Sequence, residues 1–399
     1  MSRARFSFLL LLALPLAACA KDAPPAPQPE PSAKITAPET KPAPVAELAP
    51  TTAVSAPLPV VPTASAEASA KVAAPEKSSA AALPAPDKTS KNSGGNPPIA
   101  FPKSSHGVLA AGVADKLLAS GAPAIVRLLE PGAEPRADLG YAIAKGPAPK
   151  LGMAMDMAVS VKAGGQVNNA ALPRMGMTLD GSTGETNAAG EWKILASLVD
   201  ISIEGKGPQA EQMAAAMRPQ IAAMNGLGIN YWLNPKGRVR DVKIELPKGF
   251  PPAAQALVEG LNQSFESMVA PLPAEPVGLG AKWQVISRMA ASGADLLQSA
   301  TYTLKARDGV KATLDVVTTQ ISASDTIKAL GSPSGAVTRV KSFSSGGTGT
   351  TKVDTTSVVP ESGTTTMKTG MTVVVEQAGE PGEQSAVETR TSVTLSRPQ

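Results

Sequence analysis

Between Ala20 and Ser105, 39 of 86 residues are alanine or proline (21 and 18), and Phe101 is the only aromatic among them. Repeated proline fixes φ and removes backbone donors, so neither a helix nor a strand ladder can run through such a stretch. Alanine methyls are too small to offset the conformational entropy of ordering the chain, and the segment predicts a disordered, semi-stiff spacer. As a flexible coil it would span about 50 Å, and more where polyproline II persists. Its 8 lysines and 7 acidic residues are interspersed. The run Pro24-Pro25-Ala26-Pro27 is the part best suited to a recognition role. The fold must then be built by residues 106–399, which hold 27 basic and 26 acidic residues and nearly all the other aromatics.

The whole chain is equally restrictive about chemistry. It has one histidine, His106, and one cysteine, Cys19, so a Ser-His-Asp triad has one candidate base, and a Cys/His zinc cluster or a disulfide framework is excluded. The formal net charge is +4. Removing Arg3 and Arg5 with a cleaved leader leaves 35 basic against 33 acidic residues, or +2, which predicts no nucleic-acid partner. No cofactor and no metal site is expected from this inventory, and catalysis is not expected either.

A leader is indicated by a short basic start at Arg3 and Arg5, an apolar run of about 11 residues from Phe6 to Leu16, and the sequence Leu16-Ala17-Ala18-Cys19. The run is well short of the ~20 residues that a spanning helix needs. Leu16-Ala17-Ala18-Cys19 resembles the lipobox of bacterial prolipoproteins. That resemblance implies removal of residues 1–18 as a signal peptide, a diacylglyceryl thioether on Cys19 and an acylated mature N-terminus. Two or more acyl chains hold a protein durably on a membrane. The second residue after cleavage is Ala20 and not aspartate, so the resemblance implies outer-membrane anchoring more than inner-membrane retention, facing the periplasm or the surface. Residues 19–105 would then be the lipidated cysteine and its tether, and the partner of this end of the chain is the membrane.

Residues 106–399 alternate with period two in many places: Met153 through Val161, Ile194 with Ala196 and Leu198, Ile201 with Ile203, Val239 through Lys243, Tyr302 with Leu304, Leu314 through Thr318, and Val373 through Gln377. Such alternation marks half-buried strands. Asn234-Pro235-Lys236-Gly237 separates two strand-like runs and predicts a hairpin. Helical spacing recurs from Gln209 to Asn225, with Pro219 inside it, and from Pro251 to Met268, where Leu257, Leu261, Phe265 and Met268 share a face. A third, short helix is expected within Gly107 to Ala119. The fold class is therefore α+β and predominantly antiparallel β.

An internal repeat, about 138–205 and 299–377, is suggested by Tyr141 to Gly146 against Tyr302 to Gly309, and by Gly181-Ser-Thr-Gly184 against Gly346-Gly-Thr-Gly349. It would give a duplicated sheet with inserted helices. The order of a strand, a Gly-x-Gly turn, Asp354, another strand and Met367-x-x-x-Met371 is similar to that of Gram-negative envelope lipoproteins and, more distantly, of half-barrel lipoprotein carriers. The similarity implies a β-rich, half-barrel-like domain.

Met153, Met155 and Met157, joined by Met175 and Met177, form the most distinctive local pattern. On strands these thioethers share one face, and Met213 and Met217 could extend it from a helix. Methionine shapes itself to varied apolar partners, so the pattern suits packing within a core or an adaptable surface for an apolar or lipid ligand. It would also suit Cu(I), for which thioethers are soft ligands. Asp156, Asp180 and Asp354 are the carboxylates that a polysaccharide hydrolase could pair. Trp192, Trp232 and Trp283 are expected to fill the core, and His106 to be solvated. Gly346-Gly347-Thr348-Gly349 lacks the Gly-Lys-Ser/Thr of a phosphate loop.

Overall fold

A computed structural model describes residues 95–250, 269–291, 293–327, 337–377 and 380–398. The predicted leader, Cys19, most of the Ala/Pro tether and the predicted helix from Pro251 to Met268 lie outside the described residues. In chain order the elements are α1 (Val113–Leu117), β1 (Ile125–Glu130), β2 (Gly146–Pro147), β3 (Leu151–Ala163), β4 (Gln166–Ala171), β5 (Arg174–Thr186), β6 (Trp192–Glu204), α2 (Pro208–Ala222), β7 (Gly228–Leu233), β8 (Val239–Glu245), β9 (Lys282–Ala291), β10 (Ala294–Asp308), β11 (Lys311–Ser322), β12 (Thr326–Ile327), β13 (Val337–Asp354), β14 (Ser362–Gln377) and β15 (Glu380–Ser396).

All the named strands belong to one sheet of 15, ordered β1-β9-β10-β11-β13-β14-β15-β3-β5-β6-β7-β8, with β2, β4 and β12 paired beside that path. Every strand pairing is antiparallel, and the sheet is open, with β1 and β8 as its outermost strands. The predicted hairpin is β7–β8, closed by hydrogen bonds between Asn234 and Gly237–Arg238. The helix predicted from Gln209 is α2, which begins at Pro208 and accommodates Pro219 near its last turn. The helix expected within Gly107–Ala119 is the five-residue α1.

Chain-distant strands meet at the middle of the sheet, where β15 lies against β3 from Ser385↔Ala163 to Ser396↔Gly152. This pairing joins a meander of the amino-terminal strands to one of the carboxy-terminal strands. The sheet curls so that one face closes on itself. Leu151, Leu179, Ile194, Ile229 and Leu233 from one half pack in a single cluster with Trp283, Ala300, Leu304 and Leu314 from the other. Trp283 is fully buried, stacks on Tyr302 at 5.7 Å and donates its indole N–H to the Pro271 carbonyl at 2.8 Å. Burying an aromatic of this size removes roughly 150–250 Å² from water. Two irregular segments seal this end: Ala137 bridges Val277, Tyr141 N–H donates to Pro235 O, and Leu272 N–H donates to Lys236 O.

The outer face is covered at one corner by α1, whose Ala114, with Leu118 just beyond the helix, packs on Ile286, Leu297 and Ile321, with Ile99 and Phe101 against the same cluster. Ile99 also exchanges two hydrogen bonds with the side chain of Gln284, at 2.7 and 2.9 Å. The folded unit therefore takes in residues 95–105, ahead of the boundary expected at His106. Proline and serine in that stretch conceal two anchoring apolar side chains. His106 itself is exposed at positive φ, and its carbonyl accepts from Phe343 N–H.

Gly346 to Gly349, expected to form a turn, lies inside β13 instead. A Cβ on Gly347 would come within 2.5 Å of Thr366 O, and one on Gly349 within 2.6 Å of Thr364 O. Glycine here permits close approach of β13 and β14, a recurrent device where a sheet bends. Of the suggested repeat, the two glycine runs both lie within strands, β5 and β13. The tyrosines do not correspond, since Tyr302 is in β10 and Tyr141 is in the irregular segment before β2.

Candidate functional site

The strand register orders the inner face into rows. One row runs Leu304, Leu314, Thr351, Gly363, Leu395, Met153, Met177, Ile201; the next runs Tyr302, Val316, Gly349, Thr365, Val393, Met155, Met175, Ile203. A third runs Ala300, Thr318, Gly347, Met367, Thr391, Met157, and a fourth Gln298, Gln320, Ser345, Thr369, Thr389, Val159. Because side chains alternate along each strand, Met153, Met155 and Met157 share this face, and the β3–β5 pairing sets Met175 and Met177 directly opposite two of them. These five methionines therefore lie side by side on one face, and all five are half-buried. Helix α2 closes one flank. Its Ala214, Met217 and Ile221 form a cluster with Ile203 from the inner face, and Met175, Ile201 and Met213 pack against it. Met217 is therefore committed to the helix–sheet contact, and Met213 lies at its margin.

Sequence reasoning placed the methionines of β3 and β5 but missed what stands beside them. Met367 comes from β14 and lies in the row of Met157, separated by Thr391. The neighbouring row is a chain of hydrogen-bonded polar side chains. Gln320 Nε2 donates to Gln298 Oε1 at 2.8 Å and to Met289 Sδ at 3.6 Å. Ser345 Oγ donates to Gln320 Oε1 at 2.7 Å, which leaves Thr369 Oγ1, 2.8 Å from Ser345 Oγ, as donor to it. Gln320 is 6% and Ser345 8% exposed. The signal for this belt was the alternation Gly363-Thr-Thr-Thr-Met-Lys-Thr369, whose inward and outward members both contain threonine and so hide the facing.

Beyond the belt a smaller apolar cluster, with Leu296, Val340, Phe343 and Val373 at its heart, occupies the other end of the inner face. The end near Tyr231 is filled: a pocket lined by Leu151, Leu179, Ile194, Ile229, Tyr231 and Val269 holds about 30 Å³, space for one or two water molecules. Burial pushes the hydroxyls of Tyr141 and Tyr231 well above their ordinary pKa, and that of Tyr302 up to about 12.

Each of the three carboxylates considered for glycoside chemistry faces its own cations. Asp156 faces Arg174 at 3.6 Å and Lys206 at 4.0 Å, Asp180 faces Lys150 at 3.8 Å, and Asp354 faces Arg397 at 3.6 Å. Burial alone would raise Asp354, but the hydroxyl and amide of Thr356, together with Arg397, hold its carboxyl below the usual range. Among the described residues no group of three His, Cys, Asp or Glu side chains could hold a metal ion. Trp192 begins β6, and Trp232 lies under the Arg240 guanidinium, 5.7 Å from the ring centroid.

A family of unknown function (DUF6263) matches residues 257–360, a stretch that includes β9 to β13. No curated protein matches the chain. Among solved structures, one of lipovitellin, described for its lipid–protein interactions, aligns with 65% of this chain and 26% of its own at 9% identity and a TM-score of 0.34.

Proposed function

We propose that this chain is a lipid-anchored envelope protein whose folded part is non-catalytic and seats an apolar, lipid-like ligand on the inner face of its sheet. The observation that carries the reading is the field of five half-buried methionines in register on β3 and β5, continued by Val393, Leu395 and Met367 from the carboxy-terminal strands. Flexible thioethers there present an apolar surface that can re-form around more than one shape. The residues Leu16-Ala17-Ala18-Cys19 support the anchor, and Ala20 supports the outer membrane as its location.

Native mass spectrometry of the full protein extracted from its host membrane tests both parts. The expected species starts at an acylated Cys19 and retains an apolar molecule. An unmodified thiol, or cleavage elsewhere, overturns the anchor. A protein that retains nothing and takes up no added hydrocarbon probe overturns the ligand seat. Cys19→Ser is expected to leave an unprocessed precursor.

One observation favours a second reading. Met153 faces Met177 and Met155 faces Met175 across neighbouring strands, which sets four thioethers in two adjacent pairs suited to Cu(I). Stoichiometric Cu(I) that is lost on Met153→Leu, Met155→Leu and Met157→Leu would carry this reading in place of the first.

A further inference from the structure

The four register rows of the inner face, from β10 across to β6, contain no Asp, Glu, Lys or Arg. The same strands carry their charges outward: Asp156 and Lys162 on β3, Asp315 on β11, Lys352 on β13, Lys368 on β14, and Glu388 with Arg390 on β15. Fifty-three charged side chains in residues 106–399 make such a face a strong constraint on whatever covers it. A charged headgroup laid there would lose hydration without gaining a counter-charge, which is a large penalty in a half-buried setting.

The face is nevertheless not uniformly apolar. Between its methionines and the cluster around Phe343 runs the belt of Gln298, Gln320, Ser345 and Thr369, continued in register by Thr389, with Thr391 one row away. These are neutral donors and acceptors. Along the belt each hydroxyl and amide is bonded to its neighbour across the strands, whereas Thr389 and Thr391 stand half-buried where the belt meets Met157 and Val159.

We infer that the ligand of this face is an uncharged lipid with a hydroxyl or ester polar end, its chains on the methionines of β3 and β5 and its polar end at Thr389 and Thr391. The inference rests on the apolar-ligand reading above and adds the class of headgroup. Shape alone would admit any acyl chain. The absence of charge and the neutral belt select among them.

A matched pair of lipids tests it on the full protein: dioleoylglycerol and dioleoylphosphatidic acid, which share chains and differ by the phosphate, with n-hexadecane as the probe of apolar binding alone. Competition against a fluorescent hydrocarbon is expected to rank dioleoylglycerol at least about tenfold tighter than dioleoylphosphatidic acid, the discrimination that roughly 1.4 kcal/mol provides. Thr389→Val with Thr391→Val, which keeps volume and β propensity, is expected to weaken dioleoylglycerol about fivefold and to leave n-hexadecane unchanged. Gln320→Glu, which introduces a charge into the belt, is expected to weaken both. Equal binding of the phosphatidic acid, or an unchanged preference in the double valine variant, overturns this inference while the apolar seat stands. Loss of n-hexadecane binding by the wild-type protein would instead remove the seat itself.

Discussion

The two halves of the same inner face differ in how they are filled. Around Trp283 the side chains are aromatic or branched, and Leu151, Leu233, Leu304 and Leu314 are fully excluded from solvent. Across β13, β14, β15 and β3 the positions of equal register are occupied by threonine, glycine, Val393, Leu395 and methionine, and most of them are half-buried. Both regions are free of charge, so charge does not separate them. Shape does: stiff side chains specify one packing, while unbranched thioethers leave several open. The comparison teaches that one sheet can hold its fold at one end and keep an adaptable surface beside it.

The largest expected effect breaks the comparison at its rigid end. Trp283→Ala removes a fully buried ring and a hydrogen bond to Pro271 O, and should cost about 3–5 kcal/mol in denaturant unfolding. A loss under about 1 kcal/mol would mean that the sealed end does not hold the fold. Alkaline titration probes the same end next. Tyr141, Tyr231 and Tyr302 are the only tyrosines, and burial raises all three. Since the folded state keeps its phenolic protons longer than the unfolded chain, stability is intact below about pH 10 and falls above it, by about 1.4 kcal/mol per pH unit for each tyrosine. Tyrosinate absorbance should therefore rise together with loss of the fold. A midpoint near 10 in a folded protein would contradict this burial.

The methionine region should respond differently. Met153→Leu, Met155→Leu and Met157→Leu conserve volume, and each should shift stability by less than about 1.5 kcal/mol, while narrowing the range of apolar probes that bind. If the triple variant unfolds as readily as Trp283→Ala, these methionines are core and the contrast disappears. The smallest effect concerns the outer rim. Asp354 is held below the ordinary carboxylate pKa of about 3.9, so its contribution is present above that value and is lost as the pH falls through the folded pKa. Asp354→Asn should lower stability by about 1 kcal/mol at neutral pH and flatten the acid side of the stability profile. An unchanged profile would show that Thr356 and Arg397 do not stabilise the charge.

Much of this fold could be read locally. Met153 through Val161 alternates with period two because one face of β3 is turned inward, and the stop at Asn234 to Gly237 is written in turn residues. Gly346 to Gly349 misled because glycine ordinarily interrupts strands. Pairing with β11 on one side and β14 on the other overrides that local preference.

By itself the amino-acid sequence determined that the folded part is antiparallel β with helix α2 inserted, and that the chain carries a single imidazole and a single thiol. Those properties depend on composition and on neighbours one to four residues apart. Only the tertiary structure decided that Met155 lies beside Val393, 238 positions away, and that Gln320 reaches Ser345 and through it Thr369. Register between strands distant in the chain is set by the summed packing of a whole face, so no local pattern could disclose that the inner face is uncharged and crossed by a belt of neutral polar side chains.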